Sequence, residues 1–270
     1  MTLKIREALP SLFEVAYPVV DPKTEMFLAL SLLRFEEIDA LPLSFDADGK
    51  HRAVAGFSSL ARLMRLEPKG LQRFLRRPCE EASEPLASVE AGRNLSVLLD
   101  KFLETRFGFA RVNERNRVGA LARLRDLLAL YGAGRFETRL AVEDVASPIF
   151  ALPKETSVRE ALDQMFDRRC RRVFISGTKK FVWDRGIIER LFSPTVLALA
   201  TKSPSKDFLT APLSEFEGLT ATDVKPSTGL KEAARMMRLT RGHCLTFEDK
   251  VVTPWDVVMK PWKEKELRIG

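Results

Sequence analysis

Thr156-Ser157-Val158-Arg159-Glu160-Ala161-Leu162-Asp163-Gln164-Met165 reads as the opening of an amphipathic helix. Val158, Ala161, Leu162 and Met165 fall at i, i+3, i+4 and i+7, one face of a helix. Ser157 ahead of that face and Glu160 three residues on make a capping-box signature. The same template fits Met26, Ala29, Leu30 and Leu33; Leu95, Leu98, Leu99 and Phe102; and Leu230, Ala233, Ala234 and Met237. An extended segment precedes each helix: Val19-Val20-Asp21-Pro22, Leu86-Ala87-Ser88-Val89, Ala151-Leu152-Pro153 and Asp223-Val224-Lys225-Pro226.

The likeness continues beyond the helix. Alternating positions Leu41/Leu43, Ala110/Val112, Val173/Ile175 and Leu245/Phe247 predict a half-buried strand in each copy. A polar turn follows, such as Asp46–Lys50 or Phe247–Lys250, and then a second strand and helix. These are Val54–Phe57 into Leu60–Leu63, Val118–Leu121 into Leu124–Leu128, Phe181–Trp183 into Ile187–Leu191, and Val251–Thr253 into Val257–Met259. The unit is strand–helix–strand–turn–strand–helix, repeated four times. Its period of about 60–70 residues is long for a solenoid and near the size of the smallest domains that fold alone, which usually pair.

Composition bounds the function. Apolar residues make up 45% of the 270, enough for a real core. The longest apolar runs, such as Phe27–Leu33, are too short to cross a bilayer, and the N-terminus has no signal-type stretch, so a cytoplasmic protein is expected. Cys79, Cys170 and Cys244 form no close motif and His51 and His243 stand alone, which argues against a disulfide framework and a metal site. A net charge of +7 favours anionic partners. The run Arg62, Arg65, Lys69, Arg73, Arg76 and Arg77 reads first as a solvated face. With only Phe74 interleaved, it argues against nucleic acid. Gly-rich phosphate loops with Lys and Ser/His/Asp arrangements are missing from the sequence, so no enzyme is expected.

The unit resembles the cystathionine-β-synthase (CBS) domain. Thr156–Met165 followed by Arg171–Ile175 is similar to that family's first helix and second strand, and Val251-Val252-Thr253-Pro254-Trp255-Asp256 to its closing strand and nucleotide-binding Asp. The likeness is strongest in copies three and four. It implies an α/β (α+β) fold of four βαββα repeats, forming two Bateman modules packed as a disc. Such an arrangement is found in archaeal stand-alone CBS proteins and in the γ subunit of AMP-activated protein kinase. The modules are expected at 1–135 (repeats about 8–70 and 71–135) and 136–270 (repeats about 136–203 and 204–270), meeting near Gly132-Ala133-Gly134. Leu66–Gly70 and Ser203-Pro204-Ser205 would separate the repeats within each module.

By the same resemblance, Thr253 and Asp256 would hold a ribose and Val251 would line the base pocket. Thr220, Ala221, Thr222 and Val224 would be the base-contacting first strand. His243 would offer a basic group, and Arg171 and Arg172 of the paired copy would face phosphates. Without the resemblance, Thr253 and Asp256 read as a helix start and the arginines as a solvated helix end. His243 reads as a half-buried polar residue, Trp183 and Trp255 as structural, and Arg168 and Arg169 as plain surface.

In copy three two alignments stand, one putting Asp184 and the other Gly186 at the Asp256 position; the strand pattern leans to Gly186. Copy one offers Ser59 and Arg62 there, and copy two Ala122 and Arg125 with Asp126 adjacent, so the first module is expected to be empty. The expected function is a non-catalytic, energy-sensing module. It would take one adenine nucleotide (AMP, ADP or ATP) between repeats three and four, need no catalytic cofactor, and signal to an unidentified protein target; homodimerisation through exposed helices stays open. The alternative is a ligand-free scaffold whose basic first module docks an acidic protein or nucleic acid. An S-adenosyl ligand is a further option.

Overall fold

The computed structural model describes residues 3–14, 17–35, 40–44, 51–56, 59, 61–62, 65, 73, 75–114, 117–193, 196, 208–216 and 218–270. The expected breaks at 66–70 and 203–205 lie outside them, as do Lys69, Phe74 and half of the stretch 60–63 expected to open a second helix in copy one.

All four amphipathic helices begin where the periodicity puts them: α1 (Met26–Phe35), α2 (Leu95–Thr105), α4 (Val158–Asp167) and α6 (Leu230–Leu239). Ser157 Oγ accepts the Glu160 N–H at 3.2 Å, satisfying one of the four N–H groups a helix start leaves unpaired. Beside a separate two-stranded pairing of Phe136–Glu137 with Arg268–Ile269, the strands that build the repeats are β1 (Ala40–Pro42), β2 (Arg52–Ala55), β3 (Glu84–Pro85), β4 (Ser88–Glu90), β5 (Phe109–Glu114), β6 (Arg117–Arg123), β7 (Ser147–Pro148) and β8 (Ala151–Leu152). They continue with β9 (Arg172–Ile175), β10 (Lys180–Trp183), β11 (Leu219–Thr220), β12 (Thr222–Asp223), β13 (Leu245–Phe247) and β14 (Lys250–Val252). The second helices of copies two to four are α3 (Leu124–Gly132), α5 (Asp184–Leu191) and α7 (Pro254–Lys263).

Each copy builds its own small sheet. The orders are β1-β2-β3, β4-β5-β6, β11-β10-β9-β8 and β12-β13-β14-β7. In copies two to four the strand before the first helix runs parallel to the strand after it, and the next strand returns antiparallel. The stretch read as one first strand, Thr220–Val224, is divided. Thr220 pairs with Lys180 in the third sheet, whereas Thr222 pairs with Leu245 in the fourth.

The chain forms two compact units that each draw on both halves of the sequence. One comprises Met1–Tyr17, Ala87–Ile149 and Ala221–Gly270; the other comprises Pro18–Leu86 and Phe150–Thr220. The first therefore holds copies two and four, the second copies one and three. In the first, Leu95, Leu98, Leu99 and Phe102 of α2 share a core with Leu230, Ala233, Ala234 and Met237 of α6. Tyr131 on α3 sits inside this core and donates its hydroxyl to the Val257 carbonyl of α7 at 2.7 Å. In the second unit, Met26, Ala29, Leu30 and Leu33 share a core with Val158, Ala161, Leu162 and Met165. Truncating one of these fully buried side chains to Ala costs about 2–5 kcal/mol.

Candidate functional site

The candidate site lies where β14 hands over to α7. Val251 and Val252 are both buried, so the strand is apolar on its two faces. Thr253 is extended (φ −123°, ψ 170°) and caps α7. Pro254 follows at the first helical position, where its lack of an N–H costs nothing. Asp256, third in the helix, turns back and accepts the Thr253 N–H at 2.8 Å and the Thr253 hydroxyl at 2.7 Å on Oδ2. An acid in the first turn also suits the positive end of the helix dipole.

Asp256 is 3% exposed, and a buried carboxylate needs partners. Its Oδ1 accepts the Ser147 hydroxyl at 2.8 Å and faces the Lys260 ammonium at 3.0 Å, one helical turn on. Lys260 Nζ also donates to the Ser147 Oγ at 2.9 Å, to the Ala146 carbonyl at 3.3 Å and to the Val145 carbonyl. Thr253, Asp256, Lys260 and the segment 145–147 thus form one polar cluster within the first unit.

Of the other expected site residues, Ala221, Val224 and Val251 are buried in this unit and Thr222 is half-buried. His243 is half-buried in a left-handed conformation (φ 49°), its Nδ1 2.8 Å from the Met237 carbonyl at the end of α6. Thr220, Arg171 and Arg172 belong to the second unit. There Arg171 donates from Nε to Asp184 Oδ2 at 2.7 Å, beside a shallow depression also lined by Arg34, Gly56 and Arg185. Arg168 is exposed and stacks over Phe150 at 4.5 Å; Arg169 is exposed with φ 53°.

Strand register decides which residue of each copy occupies the Thr253 and Asp256 positions. Leu245 pairs with Val252, and its counterparts pair Leu41 with Val54, Ala110 with Ala122 and Val173 with Val182. In copy three the cap is Trp183 and the third helical residue is Gly186, as the strand pattern indicated. A Cβ on Gly186 would lie 2.6 Å from Trp183 Cδ1, so the indole fills the space an acidic side chain would need. Asp184 is instead first in α5, buried and bound to Arg171 and to the Arg185 N–H at 2.8 Å.

The alignment expected for copy two is off by one residue and is corrected here. Ala122 lies in the sheet opposite Ala110, so the cap is Arg123 and the third helical residue is Asp126. Copy two has therefore kept the acid, but Arg123 binds both of its oxygens, Nε to Oδ2 at 2.9 Å and Nη2 to Oδ1 at 2.8 Å. Copy one is also corrected. By this register Ala55, the last residue of β2, takes the place where Ser59 was expected, and Ser58, three residues on, lies outside the described residues. Ser59 is buried and accepts the Ala55 N–H at 2.9 Å. The cause is hairpin length. The copies insert different numbers of residues between paired strands, and the sequence alone carries no marker for where each hairpin closes.

Several members of the basic run are paired: Arg62 with buried Glu84 at 3.1 Å, Arg65 with Asp163 and Asp167 at 2.8 Å each, and Arg77 with Glu81 at 2.6 Å. Burial raises the Glu84 carboxyl above the usual carboxylate range, with Arg62 and Arg52 opposing. Burial pushes the Cys79 and Cys170 thiols up to about 11. Among the described residues, no group of three or more His, Cys, Asp or Glu is arranged to hold a metal ion, and no helix is long and apolar enough to cross a membrane.

No family model and no curated protein matches the sequence. Solved structures do match. One, from Methanocaldococcus jannaschii and described as a candidate archaeal homolog of g-AMPK, superimposes with a TM-score of 0.80 over 97% of this chain and 100% of its own, at 15% identity. The fold is that of the CBS-domain proteins. A CBS-domain containing protein of Agrobacterium tumefaciens matches 48% of this chain and 93% of its own at 17% identity and a TM-score of 0.40. CBSX2, in complex with AMP, matches 49% and 99% at 19% identity and 0.38. These two carry no argument about the site. The βαββα unit read from the sequence thus has the fold of a CBS repeat, and the Thr253–Asp256 cluster lies in the fourth such unit.

Proposed function

We propose that this chain is a non-catalytic regulatory module that binds one adenine nucleotide at its fourth CBS repeat. The observation that carries the reading is the pair of hydroxyl donors on Asp256, Ser147 on Oδ1 and Thr253 on Oδ2, at 2.8 and 2.7 Å. A vicinal diol brings two O–H donors to the two oxygens of a carboxylate. It would replace hydroxyl with hydroxyl, so the carboxylate need lose no hydrogen bonds in the exchange. Buried Val251, Ala221 and Val224 supply an apolar surroundings suited to a base. The resemblance of the repeat to nucleotide-binding CBS domains supports adenine as that base.

Titration calorimetry tests the reading. AMP, ADP or ATP should bind in the micromolar range at about one per chain, and Asp256→Ala should remove most of the heat. Absence of binding by wild type with all three would overturn it. S-adenosylmethionine in the same titration separates a phosphate-dependent ligand from one that shares only the ribose. The scaffold alternative is not favoured, because Arg62, Arg65 and Arg77 are engaged by carboxylates within the second unit.

A further inference from the structure

Asp256 is a hub as well as a candidate ligand-binding group. A carboxylate offers about four acceptor positions, and here four donors take them: the Thr253 N–H and hydroxyl on Oδ2, and Ser147 and Lys260 on Oδ1. A diol can reach Asp256 only by displacing some of these. The Thr253 N–H is fixed by the backbone of the cap. The Thr253 hydroxyl needs only to rotate. Removing Lys260 would leave the buried Asp256 charge without its cation, which is strongly unfavourable. The donor that can leave is Ser147, a neutral hydroxyl from a different element.

Ser147 takes its chain segment with it. It lies on β7, a two-residue edge strand that meets β14 through Lys250↔Pro148 and Val251↔Ser147. Pro148 has no N–H to give to the ladder. The side-chain ties from α7 to this stretch are Asp256 to Ser147 and Lys260 to Val145, Ala146 and Ser147. The stretch ends at Ile149, after which the chain passes to the second unit at Phe150.

We propose that β7 (Ser147–Pro148) is a latch which nucleotide binding opens: the ligand's diol takes the place of Ser147 on Asp256, and β7 is released from the fourth sheet, while Val145 stays anchored in the core. This rests on the nucleotide reading of Asp256. It gives ligand occupancy a structural readout, since the ligand binds the unlatched state better than the latched one, the only way a ligand shifts such an equilibrium. Ser147 acts as a competitor within the protein, so its hydroxyl weakens ligand binding while it strengthens the closed form.

Hydrogen–deuterium exchange of the full chain, followed by mass spectrometry on peptides covering 145–149, tests this in two arms. Without ligand, Asp256→Ala, which leaves the Ser147 hydroxyl no side-chain acceptor at this position, should raise exchange in that segment relative to wild type. With saturating AMP, wild type should show the same rise, and Ser147→Ala should bind AMP about two- to tenfold more tightly, the worth of one competing hydrogen bond. Unchanged exchange in Asp256→Ala overturns the latch whatever binds. Release in that variant with no AMP binding to wild type overturns the nucleotide reading, and with it the ligand-driven opening. AMP binding with unchanged or lowered exchange at 145–149, or equal or weaker binding by Ser147→Ala, overturns the latch alone.

Discussion

At the scale of single residues, the same side chain can serve the fold and a ligand, and Asp256 is proposed to do both. Its bonds to Thr253 make a helix cap, and its contacts with Ser147 and Lys260 neutralise a buried charge. Asp126 occupies the corresponding place in copy two, yet Arg123 holds both its oxygens, and displacing a two-point charged partner is far harder than displacing a serine hydroxyl. Sequence could identify Thr253 and Asp256 because Thr-Pro-Trp-Asp is a local pattern. Ser147 and Lys260 were missed. Ser147 is distant in sequence, and Lys260 is one lysine among many on a basic chain; its i+4 spacing from Asp256 was the only available signal. The thiols carry a separate expectation. With Cys79 and Cys170 pushed up to about 11 by burial, almost no thiolate exists at neutral pH. Iodoacetamide should alkylate the native protein far more slowly than the unfolded chain, gaining rate only as pH climbs toward that value. Complete labelling of native protein at neutral pH would contradict this.

At the scale of elements, apolar periodicity found all four first helices at their first residue, because one buried face fixes phase. The second strands were found too, as were the second helices of copies two to four, but not the register in copies one and two. Register depends on which residues face across a hairpin, and the hairpins differ in length. Copy three shows what a repeat does after losing the acid: Trp183 caps α5 and its ring lies over Gly186. Gly186→Asp should therefore create no second nucleotide site. It should lower stability by about 1–3 kcal/mol, the usual range for overpacking. Thermal or urea unfolding measures the loss, and calorimetry counts sites. A stable variant that binds a second nucleotide would contradict the assignment.

At the scale of the whole molecule, the four-fold repeat predicted the fold class, while the two compact units follow a pairing that no local pattern reveals. Copies two and four share one core, and copies one and three the other. Which apolar faces meet depends on contacts between residues far apart in the chain, and identical i, i+3, i+4, i+7 faces on all four helices give a reader no means to tell the partners apart. Four repeats share one architecture, but the fourth alone among the described residues combines a Thr cap with an acid whose oxygens are held by displaceable hydroxyls. One diol-dependent site per chain is accordingly expected. The most direct test is calorimetric titration of wild type and Asp256→Ala with AMP and with its 2′,3′-dideoxy analogue. Wild type should bind one AMP per chain and the dideoxy compound on the order of tenfold or more weakly, the worth of hydrogen bonds to a charged group; Asp256→Ala should not distinguish them. Equal affinity of wild type for the two compounds would contradict the account.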